Sequence, residues 1–233
     1  MTARRVSPVR VATALALAAW AGLFWFLLLS GRTSLYLSSR TAWVVPTGAI
    51  VLTAAAAGRL LTLRTPREEP LSPRTSWALG FIVFPAVVVL TLPPTALGSY
   101  AASRRSLSAG FGGPTLEAGD RVTLAAVAAG VWSDEARRAL VDRAGSRVRF
   151  EGIVTRREGA PADEFVLTRF IVSCCVADAL SVQVRVVGAP PGRFVEDQWV
   201  RVSGTFYPLG REVVVDAASV RAIPQPEDPY LNV

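Results

Sequence analysis

Three long apolar runs dominate the first hundred residues, and short alternating runs replace them thereafter. Val11 to Gly31 is 21 residues without a charge. At about 1.5 Å per helical residue, that length crosses a hydrocarbon core. Arg4, Arg5 and Arg10 ahead of it would also suit a secretory leader. The apolar run is too long for one, and no small-residue cleavage site follows Ser30, so an uncleaved anchor is expected. A second uncharged run spans Thr41 to Gly58 and continues through Leu60, Leu61 and Leu63, with Arg59 placed to snorkel. The third, Thr75 to Ser103, contains the apolar block from Trp77 to Leu92. Pro85 predicts a kink there, and Pro93-Pro94 an end. The pattern predicts a membrane domain over 1–98 with helices at about 11–30, 42–61 and 76–97. Tyr36, Trp43, Trp77 and Tyr100 fall near span ends, where amphipathic aromatics favour the interface. Ala18-x-x-x-Gly22 and Ala54-x-x-x-Gly58 offer small faces for helix packing.

Residues 99–121, rich in Gly, Ser and Ala, read as a linker. A short helix is predicted over Asp134–Ala144, with acids in its first turn and Gly145 as its stop. Strand patterns follow over Arg147–Val154, Glu164–Ser173, Ser181–Val187, Trp199–Phe206 and Glu212–Val215. In the first, Val148, Phe150 and Val154 share one face. Five short strands in so few residues predict an all-β domain over 122–233, a small OB-like Greek-key barrel. The connection Gly188–Asp197 is too short for the helix that many OB barrels carry there.

Charge sharpens this division. Residues 1–105 hold 11 arginines against Glu68 and Glu69, whereas residues 106–233 hold 14 against 16 acids. The basic character belongs to the membrane part, and the β-domain is slightly acidic. An oligonucleotide-binding barrel needs a basic groove with stacking aromatics. Phe150, Phe165, Phe170 and Phe206 are better spent as barrel core, so no nucleic acid partner is expected. Seven arginines lie in the N-terminal tail and the loop after the second span, against four on the opposite side. That bias predicts a cytoplasmic N-terminus and an extracytoplasmic β-domain. The Arg64–Arg74 loop would then lie near anionic membrane lipid. No ionisable residue lies deep in a span, which makes the bundle alone a poor pump or channel.

All 25 basic residues are arginine, and the chain has no histidine. A Walker-type phosphate loop, a lysine Schiff base, and histidine triads or zinc sites are thereby excluded. The remaining chemistry is Cys174 and Cys175, the only cysteines, with Asp178 nearby. Small buried packing residues are one reading of the pair. A vicinal disulfide, or a thiolate metal site with Asp178, is the other. On a regular strand adjacent side chains point to opposite faces, so the second reading requires a turn or bulge between Ser173 and Ala179. Two thiolates and one carboxylate would still leave a tetrahedral metal one ligand short. Trp199 reads as a barrel or interface anchor, and Asp178 alone as a turn residue.

The segment Arg169-Phe-Ile-Val-Ser-Cys-Cys-Val-Ala-Asp-Ala179 resembles the hallmark of the YcgQ-like family, uncharacterised bacterial membrane proteins described as permease subunits. Gly31–Arg40 is similar to that family's loop after the first helix. Pro85 through Pro94-Thr-Ala-Leu97 is similar to its third helix and exit. Gly152-Ile-Val, Trp199-Val-Arg-Val-Ser-Gly204 and Pro226–Tyr230 resemble its β-domain. The resemblance implies a larger multi-span permease as partner. In some members a His-rich stretch hints at a transition metal; this chain has no His to match it. The expectation is a non-enzymatic, multi-pass accessory subunit of a permease. The alternative is an envelope thiol or metal sensor using Cys174 and Cys175.

Overall fold

The computed structural model describes residues 5–65, 71–92, 95–104, 121–210 and 212–232. The chain forms two compact units, Met1–Pro94 and Thr95–Val233. In the first, strand β1 (Arg5–Val6) precedes helix α1 (Pro8–Leu29), then a short 3-10 turn (Arg32–Leu35). Helix α2 (Val44–Leu61), strand β2 (Arg64–Thr65) and helix α3 (Pro73–Thr91) follow. All three helices are long and apolar enough to cross a membrane. Two begin with the same device: Ser7 caps α1 ahead of Pro8, and Ser72 caps α3 ahead of Pro73. The serine oxygen takes up an orphan amide, and proline at the first helical position has no amide to satisfy.

Helix α3 ends at Thr91, six residues before the expected 97. Leu92 precedes a proline, whose ring forces it into extended backbone (ψ 139°). Pro93-Pro94 themselves, residues 66–70 of the arginine-rich loop, and residues 105–120 of the expected linker lie outside the described residues. β1 and β2 pair antiparallel, and Arg10 donates to the Thr62 carbonyl at 2.7 Å. The N-terminal tail and the start of the second loop, both arginine-bearing, therefore share one end of the bundle.

Helix α1 is the hub, with α2 and α3 each packed on it. Leu23, Leu27, Val45 and Ala86 form the shared core. Two indoles reach in different directions: Trp25 donates to Thr53 Oγ1 of α2 at 3.1 Å, and Trp20 to the Ile82 carbonyl of α3 at 2.9 Å. Ile82 lies in the turn before Pro85, next to Phe81, whose carbonyl has no amide to accept from at the proline. The small-residue motifs are not the packing faces. Ala18, Gly22, Ala54 and Gly58 are all exposed, and nothing approaches Gly22 or Gly58. The close approach is at Gly48, where the Phe24 ring fills the space a Cβ would need. Runs of alanine generate such motifs without specifying a contact.

The second unit holds helices α4 (Ser99–Arg104), α5 (Leu124–Trp132) and α6 (Asp134–Val141). Strands β3 (Arg147–Thr155), β4 (Phe165–Val172), β5 (Leu180–Val187), β6 (Trp199–Leu209) and β7 (Glu212–Ala222) follow, then β8 (Tyr230–Asn232). The order β3-β6-β7-β5-β4 closes back on β3, giving a five-stranded barrel. Only β5–β7 among the barrel pairs is parallel, the order and hand of pairing of an OB-like Greek key. β8 adds to β4 in parallel beyond the point where β3 departs. Phe206, Leu167, Val184 and Val202 lie in a closed core, each fully buried valine, leucine or phenylalanine contributing roughly 1.5–3 kcal/mol. Leu124 and Val127 of α5 and Leu140 of α6 belong to that core. The register slips where Ser203 and Gly204 face Ser219 and Ala217, so Ala218 is the extra residue of a bulge in β7, and the Asp216 carbonyl comes so close that it occupies the place of a Cβ at Gly204.

The first residues of the expected linker are structured instead. Ser99–Arg104 is helical and Ala102 is 3% exposed. Asp197 holds this helix's start, its carboxylate accepting from Ser99 N at 2.5 Å and Ser99 Oγ at 3.1 Å. Asp197 is the one non-glycine with a left-handed backbone (φ 63°) among the described residues, a conformation Asp tolerates better than most. A second apolar cluster joins this entry segment (Leu97, Ala101, Ala102) to Phe170, Val172, Trp199 and Tyr230.

Candidate dithiol site

β4 and β5 pair as far as Ile171 opposite Leu180, and the chain between them turns back on itself. A short 3-10 helix, Val176–Asp178, makes the turn. The Asp178 carboxylate folds back over it and accepts three backbone amides: Ser173 at 3.0 Å, Cys174 at 2.7 Å and Cys175 at 3.4 Å. A side chain of this length reaches its own nearby backbone, the usual reason Asp seeds a tight turn. The turn overrides the pleat. The two sulfurs, which a strand would send to opposite faces, lie 3.7 Å apart. Cys174 is exposed and Cys175 half-buried. All three residues singled out from sequence are thus brought together.

The electrostatics run against a resting thiolate at Cys174. Its hydrogen bond to the Asp178 carboxylate, then that to Cys175, with smaller help from burial, push the Cys174 thiol up to about 11. Burial alone would raise Asp178. It is outweighed by the bonds from the Cys174 thiol and from the amides of residues 173–175, so the carboxyl sits below its ordinary range. The pair at rest is a protonated thiol against a carboxylate. Metal ligation needs thiolates and uncommitted carboxylate lone pairs. Here the carboxylate is engaged by amides, and no group of three or more His, Cys, Asp or Glu among the described residues is arranged to hold a metal. The donor set does not fit a tetrahedral ion.

A second polar cluster lies beneath the β3–β4 hairpin, in an open groove lined by Arg157, Pro161, Glu164, Phe165 and Arg185. Arg185 grips Glu164 through two bonds of 2.9 Å, and Arg157 meets Glu212 at 2.9 Å. Its charges neutralise one another. These residues come from three strands and a loop, and nothing in their spacing announced the cluster. Trp199 is buried with the Arg169 guanidinium over its ring at 5.7 Å, and Arg169 donates to the carbonyls of Asp228 and Pro229. Burial, only partly offset by Glu151 and Asp228, lowers the Arg169 pKa. This arginine straps the C-terminal segment to the barrel.

The family model of the DUF1980 C-terminal domain matches residues 134–232, which run from α6 through β8 and include the dithiol turn. The β-domain is therefore similar to an uncharacterised domain family. No curated protein matches the chain.

Proposed function

We propose that this chain is a non-enzymatic, membrane-anchored accessory subunit of a larger multi-span permease, as its YcgQ-like resemblance implies. The supporting observation is the character of the spans. Between Val11 and Leu29, Val44 and Gly58, and Thr75 and Thr91 there is no ionisable side chain to carry an ion or proton. Only 6% of the α3 window is buried within the chain, so lipid or another protein must cover that helix. The β-domain, by contrast, closes its core with its own residues. The seven-to-four arginine bias supports a cytoplasmic N-terminus with the barrel outside. Capture of the tagged full chain after mild detergent extraction recovers a multi-span permease. Repeated recovery of the chain alone, at native expression, overturns the reading. A cytoplasm-only reporter fused after Val233 stays dark; a signal there reverses the topology.

A second reading, an envelope thiol sensor, is favoured by one observation, the 3.7 Å approach of the two sulfurs on an accessible turn. The metal version of this reading has no fitting donor set. Under the thiol reading, Cys174→Ser with Cys175→Ser abolishes function while the barrel's unfolding free energy stays within about 0.5 kcal/mol of wild type. Full function in that double variant leaves the pair a packing feature.

A further inference from the structure

We propose that oxidation of Cys174 and Cys175 to a vicinal disulfide, by exchange with a disulfide-bearing partner, releases the segment Leu97–Arg104 that follows the third span. The proposal rests on the thiol reading and adds what the thiols act upon. The turn bearing them is not a free loop. Its residues Val176 and Ala179 belong to the same apolar cluster as Leu97, Ala101 and Ala102. Just past the turn, Ser181 Oγ and Gln183 Nε2 both donate to the Ala102 carbonyl, at 3.5 and 3.4 Å. On the strand that pairs with β4 just ahead of the turn, the Tyr230 hydroxyl accepts from Leu97 N at 3.2 Å. The first structured residues after the third span are therefore held by the turn and by the strands on either side of it.

The exchange is balanced. The Cys175 thiolate attacks one sulfur of the partner disulfide, and one partner thiolate leaves. Cys174 then attacks the Cys175 sulfur of the mixed disulfide, expels the second partner thiolate and gives up its own proton to solvent. The two cysteine sulfurs lose two electrons, and the partner's disulfide gains them as two thiols. The sulfurs must close from 3.7 Å to about 2.05 Å. Cys174 also ceases to be a donor. Adjacent Cα atoms lie about 3.8 Å apart, closer than the roughly 4.4–6.8 Å of an ordinary disulfide, so closure shifts the backbone of residues 174 and 175 and draws their amides off the Asp178 carboxylate. The turn loosens, and with it the wall against which Leu97 and Ala102 pack.

The test uses the full chain in detergent or nanodiscs, with oxidised glutathione as the disulfide. Peptide mass identifies the Cys174–Cys175 link, and amide hydrogen exchange reads residues 97–104. The expected result is a link together with severalfold faster exchange in 97–104, reversed by dithiothreitol and absent in Cys175→Ser. In the reduced protein, Asp178→Ala produces the same faster exchange without any oxidant. A link with unchanged exchange in 97–104 overturns the coupling and leaves the thiol reading standing. Failure of the link to form overturns both. Unchanged exchange in Asp178→Ala removes the carboxylate from the route and overturns the mechanism given for it.

Discussion

The two units solve one problem, satisfying the backbone while burying apolar side chains, in opposite ways. The barrel does both within itself: its strands close on one another, and Phe206, Leu167 and Val202 are withdrawn from solvent by the protein's own atoms. The helices of the first unit satisfy their backbones internally but leave much of their apolar surface bare, with Trp77 and Phe81 each 72% exposed. In water that surface would be a liability, and in lipid it is the solvated face. The difference shows where specificity is stored. In the barrel it resides in packing, and in the bundle in a few polar contacts and one close approach.

Truncation in the two units separates the cases most widely. Phe206→Ala removes a ring that is 0% exposed and is expected to cost about 3–5 kcal/mol in denaturant unfolding of the detergent-solubilised chain. Phe81→Ala is expected to stay within about 0.5 kcal/mol. An equal loss at Phe81 breaks the comparison and shows that α3 is packed against protein. A smaller effect tests the polar contacts of the bundle. Trp20→Phe keeps a ring edge-on to Phe24 but removes the donor to Ile82. In a bilayer, hydrogen bonds between helices average about 0.6 kcal/mol. Reversible unfolding in bicelles reads the loss, and a cost of several kcal/mol would mean that the Pro85 turn depends on this indole.

The clearest effect on chemistry belongs to Asp178→Asn. With the carboxylate gone, the Cys174 thiol falls from about 11 toward its ordinary 9.0. Cys175 and burial still hold the thiol up in part, so the thiolate fraction at pH 8 rises by at most about a hundredfold; a less basic thiolate is a weaker nucleophile, and alkylation accelerates by at most about tenfold. An unchanged rate would show that the carboxylate does not hold that proton. The signs of the pH dependence follow. Asp178 sits below its ordinary 3.8, so its contribution is present above that value and is lost as pH falls further. Cys174 sits above its ordinary 9.0, so its contribution is full below pH 9 and disappears as pH rises through about 11. The wild-type turn is accordingly expected to hold between these limits.

The spans were legible because lipid imposes a length and forbids charge, two properties a sequence displays directly. Most of the barrel was legible through pleat alternation, as in Arg147–Phe150. β7 was expected only to Val215 but continues to Ala222. Asp216 to Ser219 is polar or small and looks like a loop; a bulge at Ala218 is what lets β7 stay paired with β6. α5 went unread because its residues, mostly Ala and Val, show no polar face, and Thr123, which caps it, was the only signal. α4 looked like linker because burial of small residues leaves no trace in hydropathy. At the candidate site, the three residues were recognised, and a turn was the stated condition for their meeting. What could not be read was the direction of the electrostatics, since the amides that engage Asp178 belong to backbone and carry no residue signature.

The closure of β3 onto β6 has a consequence in time. β4 forms a hairpin with β3 as soon as it is made, but β3's other edge waits for β6, some fifty residues further along the chain. At roughly 5–20 residues per second, synthesis leaves that edge unpaired for several seconds. During that interval Val148 and Phe150 have no sheet neighbour at all, because β4 pairs only with Ile153–Thr155 and both residues wait for β6; an exposed strand edge is a template for pairing with other chains. Closure of β6 onto β3 removes that template, so the order of synthesis, and not the finished fold, sets how long the edge is open.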